Sequence, residues 1–496
     1  MVHVRRIGLI VAISAAFYGL LLGLIAGGGW VFYTGIWGPE RHIPVAVFGL
    51  VVAIVALWTG FTGWRVPPTD GLPVNAAEQP KLFALFVEVA ETMQLPMPSR
   101  VFLVGEANAS VSHVGGWMGI GGRAEFCIGL PLVATLSRRE LQSVFAHELG
   151  HFRRGDQRLG LWILRARDGL LRIVKNLRFT TFLNWPLRAY AGLFLRLTQS
   201  YSRQQELAAD ADAATLVGKD AYTRALQAGE RVDALFTLFL EAHYFAMLAA
   251  GLRPPLAAGL VTFLESPLAK ELGREWESVA QDDPGTPYDS HPPLAQRIEW
   301  LSEVTQPARL EEGTDGPALE LVQNLARCEE RLVEIAFGVR LKAVDWESGA
   351  RTMLTRMWNV IAFDECLKLR DATVADFGQL LGSSDLAERL RIDPKVVGGD
   401  GESADVAKHM LGVLLAHQLV RSGFEIDAQP GYDIVLHKGK ARVLPFRVGS
   451  KDPEDTSGDP DGMFEDQAWR AWCNEHGLGD IALGGQEARP LARELV

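Results

Sequence analysis

The sequence predicts a mainly α-helical protein with a small β-sheet. It should comprise an N-terminal transmembrane helical hairpin, an α+β domain behind it, and a further α+β domain at the C-terminus. Three observations predict this. Two long uncharged apolar stretches stand near the start of the chain. The segment after them mixes helical apolar periodicity with short β-like runs. From about Gln306 the composition shifts to a soluble mixed pattern. The expected boundaries are 1–66, 67–305 and 306–496. A chain of 496 residues is too long for one ordinary domain. Hydrophobic residues at 48% and charged residues at 22% allow a packed core and exclude global disorder. A net charge of −11 supplies no basic footprint, so no nucleic-acid partner is expected. Cys127, Cys328, Cys366 and Cys473 are widely spaced and form no C-x-x-C pair. That is neither a disulfide framework nor a cysteine metal site, and scattered thiols fit a reducing compartment.

The hairpin is justified first. Ile7 to Ile25 and Ile43 to Trp64 are free of charge, and each can cross a hydrocarbon core of roughly 30 Å. Trp30, Phe32, Tyr33 and Trp37 follow the first span, where aromatics suit the membrane–water interface; Trp58 and Trp64 close the second. Arg5 and Arg6 precede the first span and Arg65 follows the second, while Arg41 in the loop is offset by Glu40. The positive-inside rule then places both ends in the cytoplasm. The chain is expected to be an integral protein of the inner or plasma membrane, if bacterial, with its main body cytoplasmic. A cleaved signal peptide would have a shorter apolar run and no second span at once behind it.

Pro67 to Gly71 is a breaker cluster and reads as a linker. Ala76 to Met93 has helical periodicity, with Leu82, Leu85, Phe86, Val89 and Met93 able to share a face. Arg100 to Val104 is β-like, Asn108 to Gly122 is glycine-rich and loop-like, and Ala124 to Ile128 is a short strand. Ser137 and Glu140 form a capping box that opens a helix running to about Arg153. Arg165 to Leu197 has long apolar stretches interrupted by Arg172, Lys175, Arg178, Arg188 and Arg196. They read as amphipathic helices, packed in pairs or lying on the membrane. Further helices are expected over Thr198–Leu216, Asp233–Gly251 and Leu294–Val304, and β signals at Ile434–Leu436 and Ala441–Val448.

The chemistry concentrates at His147-Glu148-Leu149-Gly150-His151. This matches H-E-x-x-H on a helix, where i and i+4 put both imidazoles on one face. Two neutral imidazoles suit zinc, one ion per chain. Glu148 beside them can take a proton from a water that zinc makes acidic and return it to a leaving amine. The capped helix and its apolar face of Leu141, Val144, Phe145 and Phe152 argue against a chance match. A catalytic zinc takes three protein ligands plus water. Glu206 offers a third on a helix whose Ala208, Ala209 and Ala211 would let it approach another closely. On its own, Glu206 reads more readily as a solvated helix-face charge.

The two segments, His147–His151 and Ser202–Asp210, together resemble the HtpX-type heat-shock proteases and CAAX prenyl endopeptidases, a family of integral-membrane zinc peptidases with a zincin-like α+β protease domain. The resemblance takes in Asn108-Ala109, Arg123–Ile128, Gly129-Leu130, Glu140-Leu141, Ser290–Pro293 and Arg297-Ile298, and covers roughly Pro80 to Leu301. It implies that His147, His151 and Glu206 ligate zinc and that Glu148 assists attack of zinc-bound water on a peptide bond. By the same resemblance Asp210 would orient a ligating histidine, as could Asp156, which reads equally as a helix stop. His291 would stand near the scissile carbonyl, or be an ordinary loop histidine. Arg203 could pair with Asp210 or the substrate, or be a plain surface charge. Ala124, Glu125, Phe126, Cys127 and Ile128 would form an active-site edge strand to which a substrate adds by backbone pairing, with Gly115–Gly122 as a flap or a plain turn. His113 and His243 read as structural. Family members usually carry two further hydrophobic spans between H-E-x-x-H and the third ligand, which the arginines of 165–197 interrupt here.

The resulting expectation is a membrane-anchored zinc endopeptidase with a polypeptide substrate and a lipid bilayer as partners, acting in membrane-protein or misfolded-protein quality control. The alternative is a catalytically silent membrane scaffold with a structural zinc site and a partner-binding C-terminal domain.

Overall fold

The N-terminal hairpin is built on small residues. Helix α1, Val2–Trp37, and helix α2, Ile43–Phe61, pack side by side in a computed structural model of the chain. A side chain on Gly28 would meet the Gly49 carbonyl at 2.5 Å, and one on Gly35 would meet the Ala46 Cβ at 2.8 Å. Such close backbone approach is how helices associate where no water drives them together. The surface turned away from the pairing is apolar: Val45, Val47, Phe48, Val51 and Ile54 of α2 are all exposed. Ala15–Trp37 is long and apolar enough to cross a bilayer. Helix α1 continues through Ala26–Gly29. Gly28 there is a point of contact with α2 rather than a break. Tyr33 and Trp37 stack at 5.5 Å near the helix end.

The structure describes residues 2–61, 70–114, 123–153, 181–282, 292–310, 315–365, 369, 371–392, 400–446 and 466–484. By their contacts these form two units, Met1–Ala234 with Gly273–Gly338, and Leu235–Leu272 with Val339–Val496. The chain is mainly helical with small sheets, as expected.

In the first unit, a four-stranded sheet has the order β1-β2-β4-β3. Its strands are β1 (Leu72–Pro73), β2 (Arg100–Val104), β3 (Ala109–Val114) and β4 (Arg123–Gly129). β2 and β4 are parallel, while β1 and β3 run antiparallel to their neighbours. Helix α3 (Pro80–Met93) and helix α5 (Arg138–Arg153) pack together, and short α4 (Leu130–Thr135) follows β4. A fully buried aromatic cluster joins α3, β4 and α5. The rings of Phe86 and Phe126 meet edge to face at 5.4 Å, and Phe145 lies 4.6 and 4.7 Å from them. Removing any of these rings should cost about 3–5 kcal/mol. The capping box holds: the Ser137 amide donates to Glu140 Oε2 at 2.9 Å and the Glu140 amide to Ser137 Oγ at 3.3 Å.

Two expectations are corrected here. Ala109–Val114 is a strand, not part of a loop. Its alternation is of small and polar residues, so no hydrophobic period marked it beside the glycines that follow. Ala124–Ile128 lies inside the sheet and not at its edge, because β4 is paired along its length with both β2 and β3. The edge is β3.

Behind α5 runs helix α6, Thr181–Val217, one continuous helix that absorbs the expected Thr198–Leu216. Helix α7, Lys219–Phe239, follows it. Leu294–Ser302 packs on α6.

The second unit is also α+β. Asp400–Arg421 is its central helix, with Leu411, Leu414, Leu415 and Leu419 fully buried. Beside it lies a three-stranded antiparallel meander, Glu425–Asp427, Val435–Lys438 and Ala441–Val443. His243 sits among Phe239 and Phe263 in this unit, consistent with a structural role.

Candidate active site

Two helices and one strand build the site. α5 presents His147, Glu148 and His151, with Leu141, Phe145 and Leu149 locked in the core on its other face. α6 crosses α5 at a point where both have almost no side chain. A Cβ on Gly150 would lie 3.0 Å from the Ala209 Cα and 3.2 Å from its Cβ. That contact lets α6 come near enough to bring Glu206 over both histidines. Here the small residues around Glu206 act as the sequence suggested.

The nitrogens of His147 and His151 and a carboxylate oxygen of Glu206 lie within 4.8 Å of one another. His147 Nε2 is 3.5 Å from Glu206 Oε2, and His151 Nε2 is 3.7 Å from Oε1. Tetrahedral ligands about 2.1 Å from a metal ion would stand about 3.4 Å apart. The two histidine–carboxylate separations are on that scale, and all three groups are near enough to close on one ion. A His, His, Glu donor set is typical of catalytic zinc, and three protein ligands leave one position open. Among the described residues no fourth His, Cys, Asp or Glu joins the group.

Beneath His147 lies a buried hydrogen-bonded network. The Nδ1 of His147 is 3.0 Å from Asp210 Oδ1 and 2.9 Å from the Tyr222 hydroxyl. Tyr222 donates to Asp210 Oδ1 at 2.6 Å. Arg297 closes the network, with Nη2 donating to Asp210 Oδ1 at 2.6 Å and to the Tyr222 oxygen at 3.0 Å, and Nε donating to Oδ2 at 3.0 Å. A proton held on Nδ1 by this network turns Nε2 toward the metal position. Burial by itself would lower the His147 pKa. Hydrogen bonds to Asp210 and Glu206 outweigh that and lift it to about 9 in the metal-free site. Burial would likewise raise the Asp210 carboxyl, but its bonds with His147 and Arg297 hold it well below the usual carboxylate range.

Glu148 points the other way, toward the sheet edge. The Val111 amide of β3 donates to Glu148 Oε2 at 3.1 Å. Since Val111 N–H faces away from β4, alternation turns the backbone groups of Ala109, Val111 and His113 outward. A cleft of about 380 Å³ opens here, bounded by Asn108 and by Ala109 of β3, by His147 and Glu148, and by one face of α7.

The structure thus brings together His147, Glu148, His151, Glu206 and Asp210. Asp156, His291 and Gly115–Gly122 lie outside the described residues. Asp210 is paired with Arg297 and not with Arg203. Sequence reasoning missed Tyr222, which carries no local signal because its partners are reached only through the fold. It quoted Arg297 within a motif but gave it no role. It placed the edge strand at 124–128, whereas β3 carries the open edge.

This combination of helix-borne histidines, a glutamate from a second helix and an adjacent sheet edge defines a metallopeptidase. Residues 76–305 match the model of peptidase family M48. The chain is 27% identical to Protease HtpX of Cellvibrio japonicus (strain Ueda107) over 324 residues, 60% of this chain and 97% of the relative. It is 28% identical over 249 residues to the Protease HtpX homolog of Acidiphilium cryptum (strain JF-5), 47% of this chain and 77% of that one. A Protease HtpX homolog of Streptococcus thermophilus (strain CNRZ 1066) matches at 28% over 140 residues, 28% of this chain and 45% of the relative. No solved structure matches. Residues 76–305, just under half of the chain, are thus similar to peptidase family M48 and to proteases of the HtpX type, which supports the resemblance read from the motifs.

Proposed function

We propose that the protein is a membrane-anchored zinc-dependent endopeptidase, with zinc held by His147, His151 and Glu206. The single observation that carries this is the convergence of those three donors beside Glu148, on a helix facing an open strand edge. Bound zinc would polarise the scissile carbonyl and acidify water. Glu148 takes the proton from the attacking water and delivers it to the leaving amine. Its hydrogen bond to Val111 holds the carboxylate toward the cleft. Asp210, Tyr222 and Arg297 keep His147 in the tautomer that faces the metal. The outward backbone groups of Ala109 and His113, with the carbonyl of Val111, whose amide Glu148 already engages, pair with an extended substrate, so β3 takes the part expected of Ala124–Ile128.

The hairpin ties this site to a bilayer, and the arginines flanking it support a cytoplasmic active site. A strand edge grips backbone more than side chain, which suits a protease acting on varied membrane or misfolded proteins. The three-ligand site with its glutamate base speaks against a silent scaffold, which needs no such base. The test is Glu148→Gln, assayed on casein in detergent with zinc. Cleavage should fall by at least a thousandfold while metal binding stays. Undiminished cleavage would refute the reading.

A further inference from the structure

The wall of the cleft formed by α7 changes character along its length. Tyr222 stands at the His147 end. One turn on, Ala225 and Leu226 face the cleft, opposite Leu132 and Val144. A further turn brings Gly229 and Glu230, and then Asp233. The spacing of 4, 4 and 3 residues from Tyr222 through Leu226 and Glu230 to Asp233 puts them on one helix face. Glu230 lies roughly 12 Å along the axis from Tyr222. A side chain entering from the reacting centre therefore meets apolar surface first and carboxylates at the far end.

Among the described residues the one arginine or lysine on this lining is Arg297, and it is already engaged by Asp210 and Tyr222. Arg231, between the two acids in sequence, is not part of the lining. Asp233 is exposed and makes no ion pair among the described residues. Lysine and arginine combine an apolar stem with a cationic head. Their stems match Ala225, Leu226, Leu132 and Val144, and their heads match Glu230 and Asp233. Gly229 offers no side chain to block the passage between the two parts.

On the reading of the site as a peptidase, we propose that this wall is a specificity pocket selecting a lysine or arginine close to the scissile bond. Glu230 and Asp233 are its specificity-determining residues. Backbone pairing on β3 would then leave most positions of the substrate unread, and this pocket would fix where the bond is cut.

The test uses the full zinc-loaded chain in detergent carrying Glu148→Gln, so that peptides bind without turnover. Fluorescent peptides identical except at one position carry lysine, arginine, norleucine or glutamate there, scanned across three positions on each side of the centre. At one position lysine and arginine should bind at least tenfold tighter than norleucine, and glutamate weaker still. Added Glu230→Gln and Asp233→Asn should reduce the lysine-to-norleucine ratio below twofold. Asp233→Asn alone should lower it partway, and as an exposed change it leaves the fold intact. Equal binding of lysine and norleucine at every position, or a preference that survives the double substitution, would overturn the proposal. Cleavage of the peptides by the unsubstituted protein with no lysine preference would overturn the pocket and leave the peptidase reading standing. Lysine-selective binding without Glu148-dependent cleavage would do the reverse.

Discussion

Replacing Gly150 by alanine tests how the third metal ligand is delivered. The new methyl would stand 3.0 Å from the Ala209 Cα and 3.2 Å from its Cβ. Carbon atoms settle at about 3.5–4.0 Å, so α6 must retreat from α5 by roughly 0.5 Å. Metal–ligand distances tolerate only about 0.2 Å. Glu206 rides on α6 less than one turn from Ala209, so it retreats too, and His147 and His151 do not. The fold itself should suffer little: overpacking costs about 1–3 kcal/mol, and alanine gains about 1 kcal/mol over glycine within a helix. The two effects separate in experiment. Zinc affinity, measured by competition with a chromophoric chelator, should fall at least tenfold, while the metal-free melting temperature moves by only a few degrees. Unchanged zinc affinity would refute the argument that the Gly150–Ala209 contact sets the position of Glu206.

Three further predictions rest on the same geometry. Tyr222→Phe removes a hydroxyl that contacts His147, Asp210 and Arg297. It should weaken zinc binding about 10–100-fold, the usual cost of losing a group that orients a ligating histidine, and isothermal titration would read it. In the metal-free protein the His147 pKa, near 9, lies above its ordinary value of 6.5. The sign follows: this stabilisation, on the order of 3 kcal/mol, is complete below about pH 6.5 and is lost as pH rises through 9. Metal-free melting temperature should therefore fall between pH 7 and 10, and apparent zinc affinity should rise as His147 gives up its proton; a flat profile in both would contradict it. Gly49→Val would force side-chain atoms against the Gly28 carbonyl and the Phe32 amide, 2.6 and 2.9 Å from the new Cβ. Hydrogen exchange in α1 around Gly28 should accelerate in detergent as the hairpin loosens.

What could be read from the sequence was whatever is written locally. The i, i+4 histidines, the Ser137–Glu140 cap and the alanines beside Glu206 all carry their meaning within a few residues. The hairpin was legible because a bilayer demands long uncharged runs. Glu206 and Asp210 came from resemblance, since one carboxylate on a helix says nothing by itself. Tyr222 was invisible: it lies 75 residues from His147, and its hydroxyl gains partners only when α7 folds back. β3 was hidden because Ala-Ser-Val-Ser-His-Val alternates without a strong apolar period. The same gap misplaced the edge strand, because which strand lies outermost depends on pairing order, and β4 gains its second neighbour from β3.

The central claim is that one metal ion and one separate base act together at this site. Metal content and proteolysis, measured side by side on the same preparations, test it most directly. Unsubstituted protein should hold one zinc per chain and cleave casein. Glu148→Gln should hold one zinc and not cleave. Glu206→Gln should lose both metal and activity. Full activity in either variant, or loss of metal from Glu148→Gln, would contradict the account.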